Sequence, residues 1–147
     1  MGRPALLSML LLVSAKALSH EHLDVSFGVP GDPEGVSKTI EIKMSDVMRF
    51  EPSRILVKRG ETIRFLLTNV GKVKHEMVID TPQELREHAE LMKRFPDMEH
   101  SDPNHRTVQP GETGAIIWRF TKSGTFPFAC LQAGHFDAGM RGTIVVR

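Results

Sequence analysis

"RILVKRGETIRFLLTN" (Arg54–Asn69) decides the fold class. It holds two runs rich in β-branched and aliphatic residues, Arg54–Lys58 and Thr62–Asn69, joined by the turn signal Arg59-Gly60-Glu61. Short runs of this kind, bounded by Gly or Pro, read as strands rather than helices. The same pattern recurs outward in both directions, at Leu23–Val29, Thr39–Met44, His75–Asp80, Ala115–Phe120, Thr125–Cys130 and Gly142–Val146. The turn signals Pro30–Gly35, Pro110–Glu112 and Ser123-Gly124 separate them. About eight short strands at this spacing predict an all-β antiparallel sandwich or barrel. Phe126 and Phe128 alternate with Cys130 on one strand and, with Trp118, are expected in the core.

One segment breaks the β pattern. In "TPQELREHAELMKRF" (Thr81–Phe95), Leu85, His88, Met92 and Phe95 fall on one face at helical spacing. Thr81 is the expected N-cap, Pro82 the first helical residue and Glu84 the partner in a capping box; Pro96 ends the segment. A helix over about 82–95 is therefore inserted in the sandwich, followed by a loop over Asp97–His105.

The first residues read as an export signal. Arg3 gives a positive start, Ala5–Val13 is apolar apart from one serine, and Ala15–Ala17 offers small residues for cleavage. The apolar run is shorter than the roughly 20 residues a membrane span needs. The expected organisation is a signal peptide over 1–17, with cleavage as late as 19, an N-terminal segment over 18–37 and a β domain over 38–147. Removal of 1–17 takes Arg3 and Lys16 away, and the balance goes from 19 basic against 18 acidic residues to 17 against 18. Such a chain gives no reason to expect nucleic acid or an anionic membrane as partner. A periplasmic monomer without a membrane span is expected.

Export sharpens the meaning of "CLQAGHFDAGM" (Cys130–Met140), which holds the one cysteine of the chain. In an oxidising compartment cysteines usually pair, and this one has no partner within the chain. His135 and Met140 follow it on what reads as a loop between two strands. A thiolate, an imidazole and a thioether together suit a copper ion that cycles between Cu(I) and Cu(II). Two histidines and a cysteine with a weak methionine form the type 1, or blue-copper, arrangement. The second histidine is expected to be His75, at the head of "HEMVID".

On these residues the sequence resembles the cupredoxins, the small blue-copper proteins that include plastocyanin, pseudoazurin and azurin. "RFEPSRILVKRGETIRFLLTNVGKVKHEMVI" and "GTFPFACLQAGHFDAGMRGTIVV" cover nearly all of the family's core. The cysteine, histidine and methionine spacing is like azurin's, as is a helix inserted between the first histidine and the cysteine. The resemblance implies a Greek-key β-sandwich and one type 1 copper on His75, Cys130, His135 and Met140. It further implies one-electron transfer to a redox partner, with His135 as the exit, and the "HEMVI" form looks most like periplasmic cupredoxins of copper tolerance. Two positions depart from the family's pattern. Lys74 stands where azurin has a glycine, and Glu76 where many members carry an asparagine that ties the ligand loops together. Colour and potential therefore do not carry over.

An enzymatic role is not expected. In copper nitrite reductases and multicopper oxidases a histidine beside the type 1 cysteine leads to a second copper centre, whereas Ala129 and Leu131 flank Cys130 here. The alternative to electron transfer is copper buffering or delivery. Two features bear on it. Met92, Met98, His100 and His105 cluster in the insert, either as soft copper ligands or as a core-facing helix and a solvated loop. Cleavage after Ala17 or after Ser19 would leave His20 or His22 third from a free amine, which suits a square-planar Cu(II) site of four nitrogens.

Overall fold

The structure, a computed structural model, describes residues 25–147. In chain order its strands are β1 (Gly28–Pro30), β2 (Lys38–Ser45), β3 (Arg49–Glu51), β4 (Arg54–Val57), β5 (Thr62–Asn69), β6 (His75–Ile79), β7 (His105–Val108), β8 (Thr113–Phe120), β9 (Gly124–Ala129) and β10 (Arg141–Val146). One helix, α1 (Pro82–Arg94), lies between β6 and β7. The strands form two five-stranded sheets, ordered β1-β8-β5-β2-β3 and β4-β10-β9-β6-β7.

The period-two alternation read in the sequence is what closes these sheets on each other. In β5, Ile63, Phe65 and Leu67 turn inward, and in β8 Ile116, Trp118 and Phe120 do the same. They meet Phe128 and Ile144 of the second sheet in one continuous core. Phe126 packs at its margin, its ring stacked 4.6 Å from that of Phe27.

The sandwich is not wholly antiparallel. β2 runs parallel to β5, and β4 parallel to β10. The cause is the path of the chain: β4 crosses to the second sheet, so β5 returns to the first beside β2 in the same direction. The first strand is shorter than expected. Residues 23–24 lie outside the described residues, and Val25 to Phe27 form a turn closed by the Gly28 amide on the Val25 carbonyl at 3.0 Å. β3 and β7 had no clear sequence signal. β3 buries only Phe50, and β7 is an edge strand that begins within the segment expected as loop.

Helix α1 forms as its N-terminus suggests. Thr81 accepts from the Glu84 amide at 3.2 Å. The capping box is only half made, because the Thr81 amide donates to Asp80 Oδ1 at 2.7 Å instead of to Glu84. The buried face is Leu85, Ala89 and Met92, packed on Val78, Ala129 and Leu131. His88 sits at its edge. Phe95, expected on that face, is the C-cap residue with non-helical backbone and is 59% exposed. The helix thus docks on β6 and on the β9 end that carries Cys130.

Candidate metal centre

Cys130 follows the last residue of β9, and β6 pairs with β9 through Val78↔Ala129 and Ile79↔Phe128. That pairing bridges the long sequence gap between His75 and Cys130. His135 completes the group: one ligand atom each from His75, Cys130 and His135 lies within 4.8 Å of the others. Cys130 Sγ is 3.3 Å from His135 Nδ1, and the two imidazole rings are 5.0 Å apart by centroid.

Backbone geometry fixes the loop. The Cys130 amide donates to the Met140 carbonyl at 3.0 Å, and the Met140 amide to the His135 carbonyl at 3.1 Å. Two tight reversals between them need left-handed backbone, supplied by Gly134 (φ 83°) and Gly139 (φ 90°). Met140 is thereby held fully buried in the core cluster that also contains Cys130. His135 is partly exposed, as expected of the residue facing solvent.

Each buried donor has a support. His75 Nε2 meets Asp46 Oδ1 at 3.0 Å. Asp46 is itself fixed by the Lys72 and Val73 amides at 2.7 and 3.4 Å. The Lys72 amide and then His75 hold its carboxyl below the ordinary range, so it is an ionised acceptor. An imidazole that donates from Nε2 keeps a lone pair on Nδ1. His75 Nδ1 is buried and has no hydrogen-bond partner. A fully buried polar atom left unpaired is costly unless something else meets it. A metal ion held among His75, Cys130 and His135 would meet it.

Glu76 ties the two ligand segments together. It is 1% exposed. Its amide donates to Cys130 Sγ at 3.4 Å, while Oε1 accepts from the Leu131 amide at 3.1 Å. Oε2 accepts from Gln132 Nε2 at 2.6 Å and lies 3.2 Å from His105 Nε2 and 3.3 Å from Thr107 Oγ1. Burial pushes the carboxyl up, but His105 and Gln132 outweigh it and hold it ionised, below the usual range. The glutamate therefore bridges the His75 and Cys130 segments with an ionised carboxylate.

The same environment acts on the sulfur. Burial, and then the Glu76 charge, push the Cys130 thiol up to about 12. Without metal it is a neutral S–H that can donate to His135 Nδ1. His135 is held below its ordinary value by burial and by His75, so it is a neutral acceptor near pH 7. The thiol proton occupies the gap between sulfur and nitrogen that a metal would fill. Two imidazoles and a thiolate beside a buried methionine are the donor set of a type 1 copper, and the orphaned His75 nitrogen fits it.

Asp46, Gln132, His105 and Thr107 were not singled out as supports from sequence. Each is an ordinary polar residue whose role depends on tertiary pairing. The insert divides. Met92 is sealed under α1, and Met98 packs partly against the same small core. His100 and His105 instead approach His88. His20 and His22 lie outside the described residues. Among the described residues no helix is long and apolar enough to cross a membrane.

Comparison with known proteins agrees with this geometry. Residues 36–147 match the family of copper binding proteins of the plastocyanin/azurin type. The chain is 49% identical over 135 residues to the copper-resistant cuproprotein CopI of Rubrivivax gelatinosus, covering 91% of this chain and 82% of that one. It is 33% identical to the copper-resistant cuproprotein CopI of Pseudomonas aeruginosa, covering 98% and 96%. Among solved structures, reduced auracyanin from the photosynthetic bacterium Roseiflexus castenholzii superposes with a TM-score of 0.64 at 22% identity, covering 77% and 99%. Matched in sequence over most of its length and carrying this donor set, the chain belongs to the plastocyanin/azurin family of copper binding proteins, as a cupredoxin related to copper-resistance proteins with one type 1 copper as its cofactor.

Proposed function

We propose that His75, Cys130, His135 and Met140 hold the copper, and that the protein passes single electrons in the periplasm as part of copper tolerance. The observation that carries this reading is the buried, unpartnered His75 Nδ1 beside Cys130 Sγ and His135 Nδ1. Bound copper supplies reversible one-electron chemistry. The chain's residues do the rest. Asp46 orients His75, Glu76 locks the Cys130 segment against β6, and the backbone bonds between Cys130, His135 and Met140 hold the loop. Ligands held this way rearrange little between two charge states. Phe128 and Phe50, packed 4.9 Å apart in the core, and Met140 keep water from the inner side. His135, partly exposed, is the point at which a partner protein approaches.

The role in tolerance rests on the copper-resistant relatives, and export rests on the N-terminal pattern Arg3, Ala5–Val13 and Ala15–Ala17. The mature protein is read as a monomer without enzymatic activity, in which residues 38–147 form the copper domain and 18–37 precede it. No histidine flanks Cys130 to lead to a second redox centre.

Voltammetry of the copper-loaded protein tests electron transfer. A reversible one-electron wave, absent in Cys130→Ser, is expected. A loaded protein with no reversible wave would instead favour buffering or delivery. Growth of a strain lacking the chain, complemented by wild type or by Cys130→Ser, tests the tolerance role. Equal rescue on copper by both would remove the type 1 site from that role.

A further inference from the structure

The insert carries histidines that the type 1 site does not use. His88 projects from the middle of α1, and His100 lies in the loop that follows. Their Nε2 atoms are 2.9 Å apart, with ring centroids 4.3 Å apart and planes at 67°. One neutral imidazole can donate to the other at this distance. It is also the separation of two nitrogens bound side by side at about 2.0–2.1 Å to one ion.

The surroundings suit a cation. The pair opens on a cleft that also contains Glu84, Glu87 and Asp102. A second cleft runs from Met98 and His100 to His105. His105 lies 5.2 Å from His100 by ring centroid, and its Nδ1 is buried without a partner while Nε2 faces Glu76. Burial and then His100 hold His88 below its ordinary value, so the ring is uncharged and free to coordinate near pH 7. Among the described residues no further His, Cys, Asp or Glu joins the pair to place three ligand atoms within 4.8 Å of one another.

We propose that His88 and His100 form a second metal site, separate from the type 1 centre, that binds a divalent transition-metal cation with water in the remaining positions. Imidazole nitrogen suits copper, nickel and zinc, and among divalent first-row ions Cu(II) binds most tightly. With no thiolate, the site gives copper a weak visible absorption. His105, beside His100, reaches the Cys130 segment through Glu76.

The test uses the full chain with its type 1 site already filled. Cu(II) is titrated into wild type, His88→Asn and His100→Asn. Wild type is expected to take up one equivalent more than either variant. That equivalent is expected to show nitrogen splitting in its electron paramagnetic resonance spectrum and to add no strong visible band. Copper held elsewhere in the chain is common to all three and cancels in the difference. An unchanged thiolate band in the variants shows that they are folded. A parallel Zn(II) titration followed by NMR reads the His88 and His100 ring signals directly, whatever happens at the type 1 centre. Equal copper uptake in all three proteins, or ring signals unmoved by Zn(II), would overturn the site and leave a hydrogen bond only.

Discussion

Two groups of imidazoles flank Glu76, and they are built differently. At the type 1 centre His75 is fully buried, its outer nitrogen fixed by Asp46 and its inner nitrogen without a partner. In the insert, His88 and His100 are partly exposed and bond to each other. A metal entering the first pocket replaces the thiol proton and meets ligands already in place. A metal entering the insert breaks an existing hydrogen bond, at a net cost of about 1 kcal/mol, and gathers water. The contrast separates a buried, preorganised group from a half-exposed one: burial and outer hydrogen bonds, not the ligand atoms alone, make the difference.

The largest expected effect on this contrast is from Cys130→Ser, which removes the thiolate. It is expected to abolish the intense visible band while the sandwich keeps its strand signal in circular dichroism. A variant that kept the colour would show that another residue supplies the sulfur-like ligand.

Next in size is Glu76→Ala. It leaves His105, Gln132 and the Leu131 amide without their buried acceptor, and breaking such a network costs about 3–5 kcal/mol. Urea unfolding of the metal-free protein measures it, and a loss under about 1 kcal/mol would mean that the loops are held by packing alone.

Asp46→Asn keeps the shape but weakens the outer hold on His75. About a 10-fold loss of copper affinity is expected, at the low end for such supports because Asp46 is 37% exposed on its side chain. Competition with a chelator reads it; unchanged affinity would remove Asp46 from the site.

Copper uptake at pH 8 is expected to release about one proton, from Cys130, because the thiol is protonated until about pH 12 in the metal-free fold. The sign follows: the metal binds the deprotonated form, so affinity rises with pH, by about tenfold per unit for one proton. Calorimetry in buffers of different ionisation heat counts the proton, and none released would mean that the thiol is already ionised.

The smallest effect is at Met140→Leu, expected to keep copper and shift its potential upward, since the thioether tunes rather than holds. Voltammetry with an unchanged potential would show that Met140 is only core.

The sandwich was legible because its strands alternate cleanly and Gly and Pro punctuate them, as in Arg54–Asn69. The parallel pairings were not, since local alternation carries no record of which sheet a strand crosses to. β3 and β7 escaped notice because they are short, and β7 begins inside a polar segment. The grouping of His75, Cys130 and His135 was legible because Cys130 and His135 lie on one loop and His75 heads an apolar strand. Glu76 read as a departure from the family, yet it bridges the His75 and Cys130 segments; its five partners come from two distant stretches of chain, 105–107 and 130–132, and leave no trace in spacing. His88 read as a core-facing helical residue, whereas α1 buries Ala89 instead and leaves His88 at the edge, beside His100.

The central claim is that Cys130 delivers a thiolate to copper beside His75 and His135. The visible spectrum of the purified protein loaded with Cu(II) tests it most directly. One or two intense thiolate-to-copper bands are predicted, lost in Cys130→Ser and retained in His88→Asn and His100→Asn. A Cu(II) protein with only weak visible absorption would contradict the account.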